Sequence, residues 1–238
     1  MAAIGIIQTR GIGDIVIAAP IAQHYVALGY RVLWPVDSRF LASVQSAFPE
    51  IEFIPIDARL LGDASYEFFY GEPMRLLQQH DCEFIYSLYS FLSGLNVVDE
   101  KLAKSLKFDE YKYAVAQVPF ERKWALKIAR NREREDALRE KVGIVGPYVL
   151  LHEEGSNFKL SIELPEDVMQ RYQVIRVGML TDNPFDWLGV IEQASMMVCV
   201  DSCFANLAEQ LNLCHDKYLM LRSDISATPV FKNGWKFR

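Results

Sequence analysis

Short apolar runs alternate with polar, glycine-punctuated segments along the first half of the chain. Four of these runs predict buried strands, at residues 3–8, 31–36, 51–56 and 83–87. The segments between them predict helices, at residues 14–28, 39–47 and 73–80. Strands that alternate with helices are typical of a parallel sheet with helices on both faces.

The middle of the chain has a different pattern. Residues 97–143 are dense in charged side chains and show little strand pattern. Residues 120–142 lack glycine and proline and are rich in Arg, Lys, Glu and Ala, so they predict one long helix. We interpret its charges as a solvated face with pairs four residues apart, such as Glu135 and Arg139. Contact with nucleic acid is the minority interpretation.

After Gly146-Pro147 the alternation starts again. Strands are predicted at residues 148–152, 173–177, 196–200 and 217–221. Helices are predicted at residues 165–171, 184–194 and 204–211. The pattern predicts no helix or strand for residues 226–238. The expected organisation is α/β, with two Rossmann-like domains facing across a cleft: residues 1–119 on the acceptor side, a helical linker at 120–146, and a nucleotide-sugar-binding domain at 147–238.

Composition narrows the class of protein. The 238 residues are 51% hydrophobic, which is ample for a buried core, and the net charge of −6 argues against a general electrostatic grip on nucleic acid. No apolar run reaches the roughly 20 residues that span a bilayer, and the N-terminus lacks a signal-peptide pattern. We therefore expect a cytoplasmic protein without a transmembrane segment. The four cysteines lack zinc-ligand spacing, and we interpret them as reduced thiols.

A glycine-hinged loop joins the first predicted strand to the first predicted helix. It contains Arg10, Gly11, Gly13 and Asp14. The glycines let the backbone turn tightly and approach a ligand, and ligands of open α/β sheets bind at the carboxyl ends of strands. Asp14 is either a helix N-cap or a general base. The spacing differs from the dinucleotide and Walker loops.

Two further polar loops follow strands of the second half. Residues 152–159 combine a glycine, hydroxyl and amide donors and Lys159, a set that can hold a diphosphate. In residues 200–208 a helix begins by Phe204, and its N-terminal amides suit an anion. The alternatives are an ordinary polar loop for the first and a plain N-cap, at Asp201 or Ser202, for the second.

Three motifs occur in a fixed order: Gly-Ile-Gly-Asp-Ile with a following Ala-Pro at residues 11–20, His-x-x-Gly-Ser with a following Lys at residues 152–159, and Asp-Ser-x-x-x-Asn-Leu-Ala at residues 201–208. Together they resemble glycosyltransferase family 9, which contains the lipopolysaccharide heptosyltransferases and has the GT-B fold. The resemblance covers most of the chain and is best at residues 4–36 and 148–212.

The resemblance implies an inverting transferase that takes a nucleotide-diphosphate sugar as co-substrate and requires neither a metal nor another cofactor. Asp14 would be the general base that deprotonates the acceptor hydroxyl, a role that typically contributes about 10²–10⁴-fold. We interpret Arg10, Gly11 and Gly13 as substrate-binding residues. The implied donor-binding residues are His152, Gly155, Ser156, Lys159, Asp201, Ser202 and Asn206.

Two other functions stay open. Asn206 and Cys203-Phe204 replace the usual His and Gly-Pro of the third motif, which favours a catalytically reduced sugar-nucleotide-binding protein of the same fold. A sugar epimerase would need GxGxxG and Tyr-x-x-x-Lys, and neither is present in the expected context. The acceptor is open too: a saccharide, a lipid-linked glycan, a protein or, as the minority interpretation, a nucleic acid.

Overall fold

The computed structural model describes residues 2–62, 65–92, 97–155 and 158–238. The chain forms two compact units, Met1–Ala129 and Arg130–Arg238. Each unit contains one parallel sheet.

The first unit is built on a four-stranded sheet in the order β3-β2-β1-β4. Its strands are β1 (Ala3–Ile7), β2 (Arg31–Asp37), β3 (Glu52–Ile56) and β4 (Cys82–Ser87). All four were predicted from apolar runs, and β1 is buried along its whole length. The β1 carboxyl end is therefore fixed between the ends of β2 and β4.

Helices of the first unit cover this sheet. They are α1 (Ile12–Ala27), α2 (Leu41–Ala47), α3 (Ala58–Leu61), α4 (Glu72–Gln78), α5 (Glu100–Ser105) and α6 (Phe108–Val115). A π-helix precedes α4 at Glu67–Gly71. Most of α1 is buried, which suits a helix surrounded by other elements.

The predicted long helix over residues 120–142 is wrong. Phe120–Ala125 is a short 3-10 helix, and an extended segment separates it from α7 (Arg132–Val142). The backbone of Lys127 bonds to Gln23 in both directions, with its N–H 3.0 Å from Oε1 and its carbonyl oxygen 2.7 Å from Nε2. These contacts within the first unit replace the bonds that a continuous helix would make. Asn131 then caps α7, accepting a bond from the Arg134 N–H at 3.1 Å.

The predicted charge pairing on α7 is also different. Glu135 is buried, and its carboxylate lies 2.5 Å from Arg130 and 3.3 Å from Arg132. Glu135 thus holds the start of the second unit together instead of pairing with Arg139 on a solvated face.

The second unit is built on a five-stranded sheet in the order β6-β5-β7-β8-β9. Its strands are β5 (Tyr148–His152), β6 (Gln173–Arg176), β7 (Met196–Val200), β8 (Lys217–Met220) and β9 (Trp235–Phe237). The helices that follow α7 are α8 (Glu166–Arg171), α9 (Leu188–Gln193) and α10 (Cys203–Gln210). The first four strands were predicted.

The unplaced end of the chain supplies β9, which pairs in parallel with β8. Glu209 of α10 anchors it, because its fully buried carboxylate accepts bonds from the Lys232 N–H at 2.8 Å and the Trp235 indole N–H at 2.9 Å. The tail is therefore tied to the second unit, and Trp235 of β9 is buried in it.

Candidate functional site

The loop after β1 begins α1 with a glycine in the left-handed region. Gly11 has φ 83° and is the N-cap residue of α1, so the interpretation of Asp14 as the N-cap is wrong. Asp14 lies in the first helical turn, where a carboxylate suits the helix dipole. A Cβ at Gly11 would lie 2.8 Å from Asp14 Oδ2. The carboxylate therefore folds back against Gly11.

Tyr89 fixes the backbone of this loop. It follows β4, the neighbour of β1, and its hydroxyl oxygen accepts bonds from the N–H groups of Thr9 at 2.7 Å and Arg10 at 3.2 Å. The Thr9 hydroxyl lies 2.9 Å from the same oxygen. Burial raises the pKa of Tyr89 above its ordinary value. The predicted substrate-binding residues Arg10 and Gly11 thus lie on a backbone with buried supports.

Lys112 of α6 reaches Asp14 from the protein interior. Its Nζ lies 3.1 Å from Asp14 Oδ1, and it also donates to Gln8 Oε1 at 2.6 Å and to the Leu88 carbonyl at 3.3 Å. The Lys112 side chain is 4% exposed, whereas that of Asp14 is 39% exposed. Asp14 therefore joins a buried cation on one side and solvent on the other.

In the second unit, an antiparallel bridge after β5 pairs Glu154 with Lys159, and we call the described residues 153–155 and 158–160 the Lys159 hairpin. The Gly155 N–H donates to the Phe158 carbonyl, and the Leu160 N–H donates to the Glu153 carbonyl, each at 2.9 Å. The Phe158 ring packs against Gly155, since a Cβ at this position would lie 2.0 Å from Phe158 Cε1. The predicted donor-binding residue Ser156 lies outside the described residues.

Lys159 is at the exposed base of this hairpin. Its Nζ lies 2.7 Å from Glu154 Oε1, and the two side chains are 67% and 63% exposed. The hydrogen bond between them raises the pKa of Lys159 and lowers that of Glu154. An exposed pair of this kind exchanges partners readily, so Lys159 can exchange Glu154 for another anion.

His152, the last residue of β5, is buried under the start of α10. Its ring contacts Phe204 edge to face, with 4.7 Å between centroids. Burial lowers the pKa of His152 to about 4, so the imidazole is neutral at pH 7. Its Nδ1 has no hydrogen-bond partner among the described residues. His152 therefore brings no positive charge to a diphosphate.

The turn between β7 and α10 carries the remaining predicted residues. Ser202 is the N-cap, and its Oγ accepts a bond from the Ala205 N–H at 3.4 Å. Asn206 donates from Nδ2 to the Ser202 carbonyl at 2.9 Å, while its buried Oδ1 has no partner within the described part of the chain. Asp201 follows β7 directly and is half-buried.

The structure thus gathers the predicted residues into two groups, one in each unit. Arg10, Gly11, Gly13 and Asp14 share the β1 carboxyl end. The described donor candidates share one sheet edge, because β5 and β7 are neighbours and His152 pairs in register with Cys199. Sequence reasoning missed Lys112, Tyr89 and Gln8, which hold the first group.

The cysteines of the second unit show no sign of nucleophilic chemistry. Burial raises the pKa of the Cys203 thiol to about 12, and it also raises that of Cys199. All four cysteines are free, as predicted. A thiol that stays protonated at pH 7 is a poor nucleophile.

The described residues include no candidate metal centre and no candidate membrane span. They contain no group of three or more His, Cys, Asp or Glu side chains suited to a metal ion. None of their helices has both the length and the apolarity required to span a bilayer.

Comparison with solved structures places the fold. The chain matches the glycosyltransferase family 9 protein from Veillonella parvula DSM 2008 with a TM-score of 0.63 at 10% identity, covering all of this chain and 86% of the other. It matches the E. coli ADP-heptose lipopolysaccharide heptosyltransferase II with a TM-score of 0.59 at 12% identity, covering all of this chain and 90% of the other.

A third match is the iron-containing dodecameric glycosyltransferase TibC from enterotoxigenic E. coli H10407. Its TM-score is 0.56 at 13% identity, and this chain, covered completely, spans 62% of the length of TibC. TibC also matches in its complex with ADP-D-β-D-heptose. No family model and no curated protein matches the sequence. The GT-B-like fold class and the resemblance to family 9 heptosyltransferases are confirmed at the level of the fold.

Proposed function

We propose that this protein is an inverting glycosyltransferase that moves a sugar from a nucleotide-diphosphate sugar to an acceptor hydroxyl. The observation that carries the proposal is the Asp14 carboxylate at the β1 carboxyl end, held by buried Lys112 and open to solvent. The heptosyltransferase fold supports the same conclusion.

Asp14 acts as the general base. Its carboxylate takes the proton of the acceptor hydroxyl while that oxygen forms a bond to the anomeric carbon of the donor. The bond from this carbon to the diphosphate oxygen breaks on the opposite face, so configuration inverts and the nucleoside diphosphate leaves with the electron pair. A hydroxyl is a poor nucleophile at pH 7, and a positioned base contributes about 10²–10⁴-fold.

The second unit binds the donor. Lys159 exchanges Glu154 for the diphosphate, and the N-terminal amides of α10 face the developing charge. Ser202 and Asp201 position the phosphate and the sugar. These groups supply the charge stabilisation themselves, so we propose transfer without a metal. ADP-heptose, named for two of the structural neighbours, is the first donor to test.

A donor screen followed by a base variant tests this function. ADP, ADP-heptose, and UDP- and GDP-sugars are added separately while thermal unfolding is recorded. A ligand at 100 times its Kd stabilises the fold by about 2.7 kcal/mol. Release of nucleoside diphosphate is then measured for the donors that bind, and Asp14→Asn is expected to lose about 10²–10⁴-fold while donor Kd stays within about threefold. An Asp14→Asn variant as active as the native protein would refute the base assignment.

The second candidate is a sugar-nucleotide-binding protein without turnover. Asn206 favours it, because an amide cannot carry the charge of the histidine that is usual at this position of the third motif. Donor binding without release of nucleoside diphosphate, under any acceptor mixture, would select this function over the transferase.

A further inference from the structure

We infer that Lys112 is the positioning residue for Asp14: it binds Oδ1 of the carboxylate from the interior and so fixes the base for the acceptor. This inference rests on the proposed function. Lys112 does not contact substrate in this role, and it acts on the reaction only through Asp14.

The placement of Lys112 is unusual for a lysine. Its side chain is 4% exposed, and burying an ammonium is costly unless a counter-charge and hydrogen bonds accompany it. Asp14 supplies the negative charge at 3.1 Å, while Gln8 Oε1 and the Leu88 carbonyl supply neutral acceptors. The position of the ammonium is therefore determined by the ends of two neighbouring strands, β1 and β4.

Aromatic rings confine the ammonium further. Its Nζ lies 5.8 Å from the ring centroids of both Tyr89 and Phe108. Tyr89 also holds the Thr9 and Arg10 amides. Lys112 and Tyr89 thus form one buried assembly, which fixes the position of the loop backbone and of one Asp14 carboxylate oxygen.

The other carboxylate oxygen lies against Gly11. Oδ2 lies 2.8 Å from the position of a Cβ on Gly11, so it packs on the bare backbone of that glycine. With Oδ1 held by Lys112, the rotation of the carboxylate is restricted at both oxygens. A base held in this way avoids part of the entropy cost of reaching the reactive geometry.

The pair is asymmetric in burial, and this makes it testable. Removing Asp14 leaves the Lys112 charge buried among neutral groups, whereas removing Lys112 leaves a half-exposed carboxylate that water can solvate. Asp14→Asn is therefore expected to melt at a lower temperature, and adding Lys112→Met to it is expected to raise the melting temperature again.

The experiment compares Lys112→Met with a matched control, Lys123→Met. Lys123 is another fully buried lysine of the first unit, and its Nζ lies 2.7 Å from Asp109. Release of nucleoside diphosphate from ADP-heptose, or from whichever donor the screen selects, is measured with water as the acceptor. Rates are taken well below the melting temperature of every variant. Lys112→Met is expected to lower kcat about 10²-fold with donor KM within about threefold, whereas Lys123→Met changes stability and keeps kcat.

The double variant Asp14→Asn with Lys112→Met gives the decisive readout. If Lys112 acts through Asp14, the double variant loses no more activity than Asp14→Asn alone. Two results would overturn the inference. Either Lys112→Met lowers kcat by the same factor in the native protein and in Asp14→Asn, or Lys112→Met and Lys123→Met lower kcat equally. If Lys112→Met does not fold, Lys112→Arg takes its place, and partial activity that depends on Asp14 supports the role whereas activity independent of Asp14 refutes it.

The outcomes also separate this inference from the proposed function. No donor turnover by the native protein, or full turnover by Asp14→Asn, removes the base and with it the positioning role. Turnover that depends on Asp14 but not on Lys112 removes only the positioning role.

Discussion

The Asp14 loop of the first unit and the Lys159 hairpin of the second are held in opposite ways. Asp14 is tied to a buried lysine, and its loop to a buried tyrosine, whereas Lys159 is tied to Glu154 on an exposed hairpin. A general base benefits from a fixed position before substrate arrives. A donor-binding cation must instead release its resting partner when the diphosphate binds. The difference in burial matches the difference in proposed role.

Apart from the variants of the Asp14–Lys112 pair, Gly11→Ala is expected to have the largest effect, because it strains the fixed loop. The φ of 83° costs an alanine roughly 1–2 kcal/mol, and the new Cβ would push against Asp14 Oδ2. We expect kcat to fall about 10²-fold. The matched control is Gly29→Ala at the other end of α1, where φ is 88° and no atom lies within 4 Å of the added Cβ. If both variants lose stability and neither loses kcat, the contact with Asp14 has no role in the rate.

The next largest effect concerns His152, the buried imidazole among the donor-binding candidates. The folded pKa of His152 is about 4, below the ordinary 6.5, so the unfolded chain binds more protons between these values. The free energy of unfolding of the second unit should therefore have its full value above about pH 6.5 and fall by roughly 3 kcal/mol as the pH drops to 4.

Tryptophan fluorescence follows unfolding, and the second unit contributes the buried Trp187, whose ring centroid lies 6.3 Å from that of Phe204. Chemical denaturation is measured between pH 7 and pH 4, with His152→Phe as the variant without a titrating ring. An identical pH dependence in both proteins would show that His152 does not cause it.

The next effect in size is expected at Lys159. Removing its charge by Lys159→Met should weaken ADP binding about tenfold while leaving the melting temperature nearly unchanged, because an ion pair this exposed adds little to stability. Calorimetric titration with ADP and AMP measures the effect, and the loss should be larger for the diphosphate. Equal losses for both nucleotides would place Lys159 away from the second phosphate.

The smallest effect is that of Glu154→Gln. It frees Lys159 from its resting partner and should tighten ADP binding by a factor of about two to three, most visibly at low salt. The hairpin hydrogen bonds are made by the backbone and should persist. Weaker binding in this variant would mean that Glu154 itself contacts the donor side.

Most of the sheet architecture could be predicted because each core strand is a local apolar run. β9 could not, because it has three residues, lies at a sheet edge and depends on Glu209, which is distant in sequence. Residues 120–131 were misassigned because their helical composition is overridden by bonds to Gln23. Asn131 was a readable signal, since asparagine is a preferred N-cap.

The candidate site was predictable only where it follows strands. Asp14 and Asp201 could be placed by their position after apolar runs, whereas Lys112 could not, because a lysine in a polar helix ordinarily lies on the solvated face. The neighbouring tyrosines, Tyr111 and Tyr113, were the available signal: all three residues are buried. Pairing with Asp14 needs the tertiary structure, since α6 is far from the β1 loop in sequence.

The anchoring of β9 by Glu209 raises the free-energy cost of opening a short edge strand. Short edge segments with few buried contacts ordinarily open at low free-energy cost and exchange their amide hydrogens quickly. Here β9 cannot separate without depriving a fully buried carboxylate of its donors at Lys232, Asn233 and Trp235. The same helix begins at the Ser202 turn, so α10 carries both the anchor of β9 and the proposed donor-binding turn.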